Sequence, residues 1–205
     1  FGNMNVRTNG NVENILTAPG SYGTALVKHS ASGKALWAVG LTNNQTGNSY
    51  GMTVAVAPGN GAYLASQIGG TNWLGTNRFV ETAGSSLLLS RFDSSGSNVW
   101  SKLIGGTNSV RTSYNLLVAD DSGNVTLGGS MSGTVSFGGT NLSAPAGGGF
   151  IVQFDATGAV RWAQTVPDYT SGLADGSGLL YVSLQSTVSD GVTNVSIGSL
   201  SNVTD

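Results

Sequence analysis

The chain has 205 residues, of which 39% are hydrophobic and only 9% charged, with a net charge of −2 and no cysteine. This excludes disulfides, thiolate catalysis and cysteine-ligated metals, and without a basic cluster nothing draws nucleic acid or an anionic membrane surface. No apolar run approaches the ~18 residues of a membrane-spanning helix, and the polarity carried by Ser, Thr, Asn and 32 glycines is the balance expected of a secreted or cell-surface bacterial protein.

In chain order, the first clear element is an apolar strand, Ala25-Leu26-Val27. It runs into a turn that ends at Gly33 and a second strand carrying Trp37. After a loop holding Tyr50, Pro58-Gly59-Asn60-Gly61 turns the chain into a strand at Ala62-Tyr63-Leu64-Ala65, which reaches Leu74-Gly75. The series then restarts. Leu87-Leu88-Leu89 leads through Asp93-Ser94-Ser95-Gly96 to Trp100, then past Tyr114 to Asp120-Asp121-Ser122-Gly123, Val125-Thr126-Leu127 and Phe137-Gly138. A third pass takes Phe150-Ile151-Val152 through Asp155-Ala156-Thr157-Gly158 to Trp162, then past Tyr169 and Asp175-Gly176-Ser177-Gly178 to Leu179-Leu180-Tyr181-Val182 and Ile197-Gly198.

Gly33, Gly96 and Gly158 are 63 and 62 residues apart, so the chain repeats with a period of roughly 62 residues. Each unit reads as strand, tight turn, strand, loop, strand, tight turn, strand. The Asp-x-(Ser/Thr)-Gly turns suit hairpins with Gly in the left-handed region, and the leading Asp or Ser accepts from the following amides. The expectation is an all-β, single-domain chain of about three antiparallel four-stranded blades. They cover about 22–75, 85–140 and 148–198, with 1–21 the tail of a preceding unit or an edge segment.

The turn-and-Trp motif, with Arg91-Phe92-Asp93 or Gln153-Phe154-Asp155 before the Gly and Trp four residues after it, is followed by Val118-Ala119-Asp120-Asp121-Ser122-Gly123-Asn124-Val125. Over residues 22 to 185 this resembles the bacterial β-propeller repeat family of the seven-bladed type. The first unit departs from it, with His29-Ser30 in place of Phe-Asp. The resemblance implies a propeller fold and a surface or secreted setting more than a function.

The recurrent Trp37, Trp100 and Trp162 read as packing residues between sheets. Tyr50, Tyr114 and Tyr169 each stand nine residues before a turn glycine. They are the candidate ligand-binding set, expected with the longer loops, where stacking on a sugar is chemically reasonable. The turn aspartates Asp93, Asp120, Asp121 and Asp155 lack the alternating ligand pattern of a calcium loop, and the single His29 has no catalytic motif around it. No catalytic residue, metal site or cofactor is assigned. Two functions compete. One is a binding module for carbohydrate or protein. The other is a structural subunit that assembles through open blade edges into a ring or filament. Because the first and last residues fall at nearly the same phase of the repeat, the expected partners are further blades or other copies.

Overall fold

The computed structural model describes residues 2–8, 11–18, 23–43, 48–105, 110–166, 170–176 and 179–184. They are β throughout, with one 3₁₀ turn at Pro58–Asn60, and no helix among them is long and apolar enough to cross a membrane. The strands are β1 (Gly2–Thr8), β2 (Asn11–Ala18), β3 (Thr24–His29), β4 (Ala35–Asn43), β5 (Asn48–Ala57), β6 (Gly61–Leu74), β7 (Asn77–Phe92), β8 (Asn98–Ile104), β9 (Val110–Ala119), β10 (Val125–Ser136), β11 (Asn141–Phe154), β12 (Val160–Val166), β13 (Thr170–Gly176) and β14 (Leu179–Leu184). Every pairing between them is antiparallel.

All the expected tight-turn hairpins form: β3 with β4, β5 with β6, β7 with β8, β9 with β10, β11 with β12 and β13 with β14. Their grouping differs from the expectation that the four strands of one repeat share a sheet. Strands β5–β8 form one meander and β9–β12 another, so the second hairpin of one unit joins the first hairpin of the next. The cause is local. Leu74 pairs with Asn77 across the two-residue turn Gly75-Thr76, with Gly75 at φ 59°, and the long β6 and β7 zip along nearly their whole length. Ser136 likewise pairs with Asn141 across a turn in which Gly138 and Gly139 have φ 87° and 113°. Only the first repeat stays within one sheet, because Leu41–Asn43 of β4 also pair with Leu74–Asn72 of β6. One unit later the same seam shrinks to a single bridge, in which Ser136 N donates to the Gly105 carbonyl at 3.1 Å.

The continuous apolar runs follow from burial on both faces of a strand. Tyr63, Ala65, Leu87 and Leu89 point from the β6–β7 pair toward Val125, Leu127, Phe150, Val152 and Phe154 of the β9–β12 sheet. Leu64, Ile68, Leu88 and Phe92 point the opposite way and pack with Leu26, Val39 and Leu41 of the β3–β4 hairpin. Three layers therefore stack through two apolar interfaces, and the middle one has no solvent face along residues 86–90 of β7. Leu88 is 1% and Leu89 0% exposed although they are adjacent in sequence. Leu88→Ala and Leu89→Ala should each lower unfolding stability by about 2–5 kcal/mol, as large-to-small core changes do. A denaturant titration in which either one is neutral would contradict the three-layer stack.

Candidate functional site

Two of the repeated turns are each built by one carboxylate oxygen. Asp93 Oδ1 accepts from Ser95 N at 2.8 Å, Ser95 Oγ at 2.6 Å and Ser97 N at 3.0 Å. Asp155 Oδ1 accepts from Thr157 N at 2.8 Å, Thr157 Oγ1 at 2.6 Å and Ala159 N at 2.9 Å. Asp120 holds Asn124 through both its oxygens. In the first turn Ser30 Oγ takes this part, accepting from Lys34 N at 3.0 Å. The hydroxyls of Ser95 and Thr157, helped by the turn amides, hold Asp93 and Asp155 below the usual carboxylate range. These aspartates staple turns, and among the described residues no three His, Asp or Glu side chains converge as a metal site would require.

Each turn places a glycine where a side chain is strained: Gly33, Gly96, Gly123 and Gly158 have φ of 80°, 85°, 80° and 84°. At Gly96 and Gly158 the missing side chain leaves room for an indole from the preceding repeat. A Cβ on Gly96 would lie 2.8 Å from the Trp37 ring, and one on Gly158 would lie 3.1 Å from that of Trp100. The same indoles hydrogen-bond the turn. Trp37 Nε1 donates to the Ser94 carbonyl at 2.9 Å and Trp100 Nε1 to the Ala156 carbonyl at 3.0 Å. Cations at matching phase add to both junctions, Lys28 Nζ donating to the Ser94 carbonyl and Arg91 to the Ala156 carbonyl. Buried Tyr63 completes the second junction. Its ring is 5.8 Å from that of Trp100, its hydroxyl donates to the Gly123 carbonyl at 2.7 Å, and burial pushes the phenol pKa up. The packing part read for Trp37 and Trp100 is thus a specific clasp between repeats. Lys28 and Arg91 escaped sequence reading, although their shared phase was visible.

The tyrosines stand on strands rather than in loops. Tyr50 is in β5 because pairing with β6 continues past the bulge at Gly51/Thr53 as far as Asn48 opposite Gly69. It lies opposite Gln67 and is 45% exposed. Tyr114 is in β9, where the register with β10 is broken between Leu127 and Gly129. Tyr169 lies outside the described residues, as does the side chain of Tyr114. Strand β5 runs beside β9, and β9 beside β13, without hydrogen bonds between them. The fold therefore brings the strands of Tyr50 and Tyr114 together at neighbouring sheet edges. His29 is exposed, and its Nδ1 is 3.1 Å from the Gly33 carbonyl, a contact within its own turn.

Comparison with protein-family models gave no match, and comparison with curated proteins found no significant relative.

Two outcomes are expected. Gly33→Ala and Gly96→Ala share the left-handed strain of about 1–2 kcal/mol, but only Gly96→Ala overlaps an indole. It should cost about 1–3 kcal/mol more, the range for overpacking, and equal losses in chemical denaturation would deny the clasp. For pH, the lowered folded pKa of Asp93 and Asp155 means their stabilisation is present above the ordinary aspartate range and lost as pH falls through and below it. The melting temperature should therefore fall in acid, and the Asp93→Asn/Asp155→Asn double variant should show a shallower acid decline. An unchanged acid slope would contradict this.

Proposed function

We propose that the chain is a secreted or cell-surface bacterial interaction module of β-propeller type, which binds carbohydrate or protein through the face that carries Tyr50. Support for the propeller reading comes from the roughly 62-residue period, the stacked antiparallel sheets, and the run of β5, β9 and β13 side by side without hydrogen bonds. The innermost strands of successive blades lie beside one another in this way. The low charge and the abundance of Ser, Thr, Asn and Gly support the extracellular setting.

The observation that carries the binding reading is Tyr50. An aromatic ring 45% exposed on a hydrogen-bonded strand is held rigid without being needed to fill the core. It offers apolar area for stacking at little entropic cost. Screening on a glycan array, followed by titration of the best hit, tests this. Tyr50→Ala should weaken binding about tenfold, or ~1.4 kcal/mol, with the melting temperature nearly unchanged. A parallel loss of thermal stability would return Tyr50 to a packing role.

The second reading, a structural subunit that assembles through its ends, is favoured by a separate observation. Gly33 is exposed, with nothing within 4 Å of its Cβ position, while the equivalent Gly96 and Gly158 are buried under indoles.

A further inference from the structure

We propose that copies of this chain join head to tail, the Trp162 indole of one copy closing on the Ser30–Gly33 turn of the next. This rests on the assembling-subunit reading and supplies its junction.

The argument is continuity with an interface the chain already makes twice. Trp37 closes on the Asp93–Gly96 turn and Trp100 on the Asp155–Gly158 turn, 57 and 56 residues from donor to acceptor. Trp162 stands at the same phase of the third repeat. Its Nε1 donates to Gln153 Oε1 in its own hairpin at 3.2 Å, longer than either turn bond, and its ring is only half-buried. The Ser30–Gly33 turn is the matching socket. Its Gly33 has φ 80° against 85° and 84° in the occupied turns, and Gly33 N donates to the Ser30 carbonyl at 2.9 Å as Gly96 N does to Asp93. Ala31 occupies the place of Ser94 and Ala156, whose carbonyls accept the internal indoles. The socket is therefore preformed, Trp162 has only its Gln153 bond to exchange, and the two surfaces are different patches. The contact is heterologous, which yields a closed ring or an open filament rather than a two-fold dimer.

One difference sets its strength. Lys28 and Arg91 donate to the clasped carbonyls inside the chain, whereas the third repeat has neutral Gln153 at that phase, and Arg161 is bonded to Gln153 Oε1 at 2.9 Å. The junction between copies therefore lacks the charged donor of the internal ones and is reversible with concentration.

Sedimentation velocity and light scattering of the 205-residue chain across the micromolar range test it. Concentration-dependent association is expected. Trp162→Ala removes the indole and Ala31→Arg places bulk on the exposed turn, so each variant alone should dissociate at least about tenfold more readily while keeping the wild-type melting temperature. Trp162→Phe, which keeps the ring and removes the N–H donor, should fall between wild type and Trp162→Ala. An equimolar mixture of Trp162→Ala and Ala31→Arg should form one-to-one dimers and nothing longer, since each partner keeps one sound end. A wild-type chain that stays monomeric throughout overturns both the junction and the subunit reading. Association that persists in both single variants, or a mixture that does not pair, overturns the junction and leaves that reading in place.

Discussion

An indole N–H meeting a turn carbonyl, above a glycine that has no side chain to block it, fixes how successive repeats of this chain register on one another across the apolar interfaces that hold them together. In each turn the left-handed glycine and the stapling aspartate or serine are local, and they form wherever the motif stands. What converts them into a tertiary structure is the tryptophan of the preceding repeat, which needs both the acceptor and the open space above the glycine. Gly96 and Gly158 supply the space and Ser94 and Ala156 the acceptor. A neutral hydrogen bond of this sort contributes about 0.5–1.5 kcal/mol and one from a charged donor about 1.5–3 kcal/mol. The addition of Arg91 to the Ala156 carbonyl is therefore as consequential as the indole bond, whereas Lys28 is 3.4 Å from the Ser94 carbonyl and bonds the Asn60 carbonyl at 2.7 Å.

The composition follows from that arrangement. A sheet covered on both sides has little surface on which to place charge, so β7 reads Leu-Leu-Leu and β11 Phe-Ile-Val, with no polar residue between. Asp93, Asp155, Lys28 and Arg91 place charge at turns and junctions, where each has hydrogen-bond partners. The first seam is less complete. Asn43 and Asn72 are cross-strand partners 1% and 0% exposed, yet among the described residues the Asn43 amide and Asn72 Oδ1 make no hydrogen bond. A buried polar group left this way costs about 1–3 kcal/mol. That cost makes the attachment of the β3–β4 hairpin to β6 weaker than the seam-free zip of β6 with β7.

How much was legible in the sequence depended on how far apart the interacting residues lie. The turns at Gly96, Gly123 and Gly158 span four or five residues and carry their own chemistry, so their conformation could be read directly. The grouping of strands into sheets could not. Leu74-Gly75 and Phe137-Gly138 mark the hairpins that hold the two meanders together, but they read as periodic landmarks, and the two-residue link Gly75-Thr76 was the missed signal. The clasp was hidden for another reason. The tryptophans read as packing residues between sheets, but the acceptors of Trp37 and Trp100 are backbone carbonyls nearly one full period away, which no local pattern marks. Tyr50 was placed in a loop because a bulge interrupts the alternation that would have extended β5 to include it.

A stack whose units touch only their neighbours has a stability close to the sum of unit and interface contributions, and its end units lack one interface. In most repeat proteins the end faces are made polar to stop further stacking. Here the exposed turn keeps the conformation of the buried ones, since Gly33 retains its left-handed geometry where no neighbouring atom demands it. The conformation follows from Ser30, Ser32 and Lys34 within the turn itself, through the Ser30 hydroxyl and the Gly33 amide. A socket formed by local bonds is present before anything fills it, so closing on it requires little further ordering. Tyr50 and the stapled turns are also separate in the fold. Tyr50 stands on β5 opposite Gln67 of β6, while the stapled turns and their tryptophans belong to other strands.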